Sequence, residues 1–191
     1  AFDDPYYSLE DGLAETRHVF LGGNDLPARF TGPLHIAELG FGTGLNFLVT
    51  WAAWEAAGKQ FPLHFTSFEA YPMATDDMAQ ALAHFPSLKP YADRLLAKWS
   101  SQQPAVMLQE GLSLHVIIGD ARKTLPLWDG LADAWYLDGF SPAKNPQLWQ
   151  PDLLQAVGAH TRPDGTAATY SAAGHIRRAL QDSGFIVDRT Q

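Results

Sequence analysis

Short apolar runs alternate along this chain with longer stretches in which apolar residues recur every three or four positions. The runs at 34–39, 63–68, 115–118, 134–137, 166–170 and 185–189 read as strands, because Gly, Pro, Asp or Glu interrupts or bounds them. Helical periodicity follows at 45–57, 75–85, 88–99, 122–125, 151–161 and 172–183. This alternation predicts an α/β domain with a mainly parallel, doubly wound sheet. One more run, 106–109, is separated from 115–118 by Glu110-Gly111-Leu112-Ser113 and reads as a hairpin set before the third parallel position. Residues 1–33 show no sustained period and read as an N-terminal arm, with a small hairpin around 16–21 leading into Gly22-Gly23-Asn24. The domain proper is then 34–191.

The first predicted strand runs into Glu38-Leu39-Gly40-Phe41-Gly42-Thr43-Gly44-Leu45-Asn46 and then a helical pattern. Three glycines let the backbone turn sharply and bring a ligand close with no Cβ in the way, while the helix start offers unpaired N–H groups. Gly-x-Gly-x-Gly is not the Gly-x-Gly-x-x-Gly spacing of dinucleotide binders. With acidic Glu38 beside it, the turn suits a cationic nucleotide, and S-adenosylmethionine carries both an ammonium and a sulfonium. The second strand ends at Glu69, about 25 residues beyond the last glycine, where an acid usually meets ribose hydroxyls. A third leads to Gly119-Asp120-Ala121, where Asp120 is placed to accept from the adenine amine. Each acid taken singly is equally a surface carboxylate or a helix cap. Three acids ending successive strands fit the rule that ligands of open α/β sheets bind beyond the carboxyl ends of the strands. The expected cofactor residues are therefore Glu38, Gly40, Phe41, Gly42, Thr43, Gly44, Asn46, Glu69, Asp120 and Ala121.

A second constellation follows the fourth parallel strand: Asp138-Gly139-Phe140-Ser141-Pro142-Ala143-Lys144-Asn145-Pro146. Glycine and two prolines restrict a loop that carries a carboxylate, an aromatic ring, a cation and an amide. A turn cap at Asp138 and a solvated Lys144 are the plainer alternatives.

Composition narrows the field. The chain has 191 residues, 46% hydrophobic and 18% charged, which is enough for one globular domain with a substantial core. Its apolar runs are too short to span a bilayer, and its start lacks a signal core, so a cytoplasmic location is expected. There is no cysteine, which excludes disulfides and thiolate chemistry, and the seven histidines are scattered without metal-ligand spacing. No metal is expected. The net charge of −8 repels phosphates, so any nucleic-acid contact must rest on local cations. Lys144, Arg162, Arg177 and Arg178 are the candidates, following the fourth and fifth parallel strands.

The runs FLGGNDLPARF at 20–30, ELGFGTGLNF at 38–47, FEAYP at 68–72, DAWYLDGFSPAKNPQLW at 133–149 and SAAGHIRR at 171–178 resemble the methyltransferase domain of the bifunctional tRNA 5-methylaminomethyl-2-thiouridine biosynthesis proteins. The resemblance extends over essentially the whole chain, and the 133–149 run is its distinctive part. It implies a Rossmann-like class I fold and methyl transfer from S-adenosylmethionine to the 5-aminomethyl group of a wobble uridine in tRNA. It also implies a flavin-dependent oxidase domain as a linked or separate partner that supplies the amine. Asp138 is then the expected catalytic residue, as an orienting anion rather than a base, with Phe140, Pro142, Lys144, Asn145 and Tyr170 contacting substrate. Phe140 and Tyr170 are available to stack on the uracil. Two departures stand out: no flavin fingerprint is present, and the family continues past Gln191 with an antiparallel strand, so the domain is expected to be incomplete and 185–189 to lie at an irregular edge. A small-molecule amine methyltransferase and a non-catalytic nucleotide-binding module are the competing readings.

Overall fold

The computed structural model describes residues 12–100, 105–138 and 146–188. Six strands form one sheet: β1 (Leu34–Leu39), β2 (Leu63–Glu69), β3 (Ala105–Gln109), β4 (Leu112–Ile118), β5 (Ala132–Leu137) and β6 (Thr161–Ala168). Their spatial order is β3-β4-β2-β1-β5-β6. Every neighbouring pair is parallel except β3 with β4, so the expected hairpin is present. Its turn is tighter than the sequence suggested, since β4 already starts at Leu112, and Gly111 supplies the positive φ of 79° that closes it.

Helices α1 (Leu45–Ala56), α2 (Thr75–Leu82) and α3 (Lys89–Lys98) cover one face, and α4 (Ala121–Thr124), α5 (Pro151–Ala159) and α6 (Gly174–Asp182) cover the other. Strand alternation sorts side chains between the two resulting cores. Ile36, Phe65 and Tyr136 pack with Phe47, Trp51 and Leu95 under α1 and α3. Ala37, Phe68, Trp135 and Leu137 pack with Leu154, Val157 and Ile176 under α5 and α6. By the same parity, Glu38, Ser67, Glu69 and Asp138 all belong to the α1 face. The acids at the strand ends thus converge where α1 begins.

Three expectations need correction. Residues 12–23 are helical, with a wide-turned stretch Arg17–Gly22, and are not a hairpin. Leu13, Thr16, Phe20, Leu21 and Asn24 are buried and make one helical face that joins the core beside α1. Asn24 is fully enclosed; its amide donates to Phe20 O at 2.9 Å and Trp135 O at 3.2 Å, and its oxygen accepts from Thr166 Oγ1 at 2.5 Å. A Cβ on Gly23 would sit 2.8 Å from that of Ala168, so close passage over β6 requires glycine there.

The second correction concerns β6, which covers Thr161–Ala168 rather than 166–170. Its pairing jumps from Ala132↔Thr161 to Ala134↔Thr166, so Arg162, Pro163, Asp164 and Gly165 form an irregularity inside the strand. Proline and glycine there hid the strand from a periodicity argument. Third, the strand expected at 185–189 is absent over 185–188, and residue 189 lies outside the described residues. No helix among the described residues is long and apolar enough to cross a membrane.

Candidate active site

The glycine turn and the first turn of α1 form the base of the site. Gly40, Gly42 and Gly44 all have positive φ, at 89°, 54° and 83°, which other residues adopt only with strain. A Cβ on Gly40 would lie 3.1 Å from Asp138 O, so this glycine also lets the ends of β1 and β5 approach. No side chain caps α1, whose leading N–H groups remain available to a ligand.

Around this turn the carboxylates are joined by neutral donors. Ser67 Oγ donates to Glu38 Oε2 at 2.8 Å, and Asn46 Nδ2 donates to Glu38 Oε1 at 2.9 Å and to Asp138 Oδ2 at 2.7 Å. The Tyr170 hydroxyl neighbours Asp138 and favours its charged form. Glu69 accepts from the Gly42 amide at 3.0 Å and the Tyr71 amide at 2.8 Å, tying the end of β2 to the glycine turn. Burial pushes Glu38 well above the ordinary carboxylate range, with the Asn46 bond opposing and the charges of Asp138 and Glu69 adding to the rise. Asp138 is raised for the same first reason, burial, against the bonds from Asn46 and Tyr170. Tyr170 is raised by burial and then by the Asp138 charge.

The structure brings together Glu38, Gly40, Gly42, Gly44, Asn46, Glu69 and Asp138, and it sorts them by depth. Glu38 is 1% exposed with both oxygens occupied, so it lies beneath the turn instead of lining it. The Phe41 ring is buried and stacks on Trp99 with centroids 5.0 Å apart, which leaves only its backbone to a ligand. Thr43 is half-buried in the turn. Asp120 caps α4, accepting from Arg122 N at 3.0 Å, and pairs with the Arg122 guanidinium at 2.6 Å; Ala121 behind it is buried. Here the cap role and any ligand role compete for one carboxylate.

Phe140, Pro142, Lys144 and Asn145 lie outside the described residues. Tyr170 is placed at the site beside Asp138, and its ring meets Phe20 edge-on, with centroids 6.2 Å apart. Arg177 and Arg178 are exposed in the first turns of α6, at the carboxyl end of the sheet. Arg162 is not near them. It lies 3.9 Å from Asp133 at the amino end of β5, the opposite end from Asp138, because β6 starts at Thr161. Ser67 was missed by sequence reasoning, although its position two residues before Glu69 puts it on the same strand face. Glu15, whose charge reaches both Asp138 and Tyr170, was hidden in the supposed arm.

The S-adenosyl-L-methionine-dependent methyltransferase family model matches the chain over residues 86–191. The chain belongs to this family. S-adenosylmethionine is accordingly its cofactor, and the residues fit it: the carboxylates suit its ammonium and sulfonium, while the left-handed glycine turn and uncapped helix N–H groups suit its carboxylate. Among solved structures, MNMC2 from Aquifex aeolicus matches with a TM-score of 0.70 and 25% identity, over 90% of this chain and 54% of that one. The chain thus spans about half the length of that protein. Weaker matches are the glycopeptide N-methyltransferase MtfA with sinefungin (TM-score 0.41, 16% identity, 87% of this chain and 49% of that one) and the SAH-bound Podospora anserina methyltransferase PaMTH1 (0.43, 14%, 92% and 76%). Among the described residues of this methyltransferase, no group of three His, Asp or Glu gathers to hold a metal ion.

Proposed function

We propose that this methyltransferase acts in the cytoplasm on tRNA, methylating the primary amine of 5-aminomethyl-(2-thio)uridine at the wobble position. The observation that carries this reading is the joining of Asp138, from the distinctive 133–149 run, to the glycine turn through Asn46. Donor and acceptor sides share one hydrogen-bonded unit. The overall likeness to MNMC2 over 90% of the chain is consistent with the resemblance in the sequence.

Glu69, the Gly40, Gly42 and Gly44 backbone, the start of α1 and Asp120 with Ala121 would hold the cofactor, with Glu38 supporting the turn from below. When bound, the cofactor supplies an electrophilic methyl group on a sulfonium. The acceptor amine titrates roughly like lysine, near pH 10, and must lose a proton before its lone pair can attack. A neighbouring carboxylate opposes that loss by favouring the ammonium. Asp138 therefore contributes by drawing in and orienting the amine, and by stabilising the positive charge that grows on nitrogen as the new bond forms. Orientation alone can remove roughly 7–11 kcal/mol of barrier.

Phosphate contact would fall to Arg177, Arg178 and Lys144, which leaves Arg162 apart beside Asp133 at the other end of the sheet. A flavin-dependent oxidase, linked or separate, would provide the amine and further basic surface. The test is mass analysis of nucleosides from aminomethyl-bearing tRNA incubated with the protein and S-adenosylmethionine. One methyl added to the aminomethyl nucleoside is the expected result. Labelled methyl appearing on small amines and never on tRNA would replace this reading with a small-molecule methyltransferase.

A further inference from the structure

Asn46 is the second residue of α1 and is buried, yet its side chain does nothing for the helix. Its one amide nitrogen, 2.9 Å from Glu38 Oε1 and 2.7 Å from Asp138 Oδ2, holds carboxylates from the ends of two different strands. A primary amide is suited to this task. It offers two diverging N–H donors on one atom and has no charge that titrates. Two carboxylates so near a common atom repel, and each resists ionisation of the other unless donors between them offset the repulsion. Ser67 completes the shell of Glu38.

We propose that Asn46 is a positioning residue for methyl transfer, one that fixes Asp138 as an oriented anion toward the acceptor nitrogen and is not itself a ligand of the cofactor. This rests on the role given to Asp138 above. The titratable groups facing the unit are Glu69 from β2, Tyr136 from β5, Tyr170 after β6 and Glu15 from the N-terminal helical segment. Among the described residues none of these is a cation. Among the same residues Asn46 is therefore the principal buried donor that keeps both acids in place, and its removal takes away the 2.7 Å bond that holds Asp138. Both acids then become harder to ionise, and Asp138 is freed to turn.

The experiment pairs a carboxyl 13C NMR titration of the cofactor-free protein with single-turnover methylation of aminomethyl-bearing tRNA, for wild type and Asn46→Ser. The Asp138 carboxyl should titrate at higher pH in the variant, and the acidic limb of the rate profile should move the same way. The rate should fall about tenfold or more, as expected for a misplaced reacting group, with cofactor affinity nearly unchanged. Should Asn46→Ser fail to fold, Asn46→Gln keeps an amide but displaces it by one methylene and should give the same shifts at smaller size. An unmoved Asp138 titration, or cofactor affinity lost in step with rate, overturns the proposal. Wild-type protein that methylates no tRNA would instead sink the functional reading, while the NMR titration still reports on Asn46.

Discussion

At the amino end of the sheet, Asp133 accepts from the His35 amide at 2.8 Å and faces Arg162 at 3.9 Å, while Arg29 donates to the Asp133 carbonyl at 2.9 Å. At the carboxyl end, Glu38, Glu69 and Asp138 are held by Ser67, Asn46 and backbone amides, all of them neutral donors. Both ends satisfy their polar groups, but only the first balances its charge. Burial without a counter-charge disfavours the ionised form, which is the direction in which Glu38 and Asp138 are both shifted. Arg122, a cation at this end, pairs with Asp120. On the proposed reading, the amino end serves stability and the carboxyl end receives the cationic cofactor and the acceptor amine.

If that contrast is right, Glu69→Ala should weaken S-adenosylmethionine binding by about 1.5–3 kcal/mol, the value of a charge-assisted hydrogen bond, with little loss of stability. Calorimetry and a thermal melt on the same variant check both halves. Affinity equal to wild type would make Glu69 a mere tie between Gly42 and Tyr71.

The amino end should answer to pH instead of to ligand. Burial and the neighbouring His64 lower the His35 pKa to about 4 from 6.5, with Asp133 opposing. The unfolded chain therefore binds more protons in that window, and the contribution of neutral His35 to stability is complete above about pH 6.5 and is lost as pH falls toward 4. Relative to His35→Gln, wild type should lose about 1–2 kcal/mol between pH 7 and 4.5, allowing for solvent on the open side. Urea melts of both proteins at the two pH values measure this, and parallel behaviour would count against a buried neutral imidazole. Smallest of all, Arg162→Ala should change stability by no more than about 0.5 kcal/mol and leave tRNA methylation untouched, as befits a half-exposed pair at the far end. A clear drop in tRNA binding would return Arg162 to the substrate surface.

How much of this was legible in the sequence differs between the two ends in the same way. Glu38, Glu69 and Asp138 stand at strand ends beside glycines, and strand parity alone predicts that they share a face. Asn46 was legible as part of the motif but not as a bridge, because its two partners are 8 and 92 residues away. The helical segment at 12–23 carried its signal in Leu13, Thr16, Phe20 and Asn24, yet two of these are polar and the spacing read as no period at all. Thr16 and Asn24 are core residues by burial, and Asn24 is held there by hydrogen bonds that sequence spacing does not encode. Arg162 was misplaced for a local reason: Pro163 and Gly165 read as a loop, when they form an irregularity near the start of β6.

The central claim is that the acids of the carboxyl end divide their work, with Glu69 serving the cofactor and Asp138 the acceptor amine. Single-turnover methylation of aminomethyl-bearing tRNA by Asp138→Ala, with S-adenosylmethionine affinity measured on the same protein, tests it most directly. The rate should fall at least about tenfold, equivalent to roughly 1.4 kcal/mol, while cofactor affinity stays close to wild type. A variant that methylates at the wild-type rate, or one that loses cofactor binding in step with rate, would contradict it.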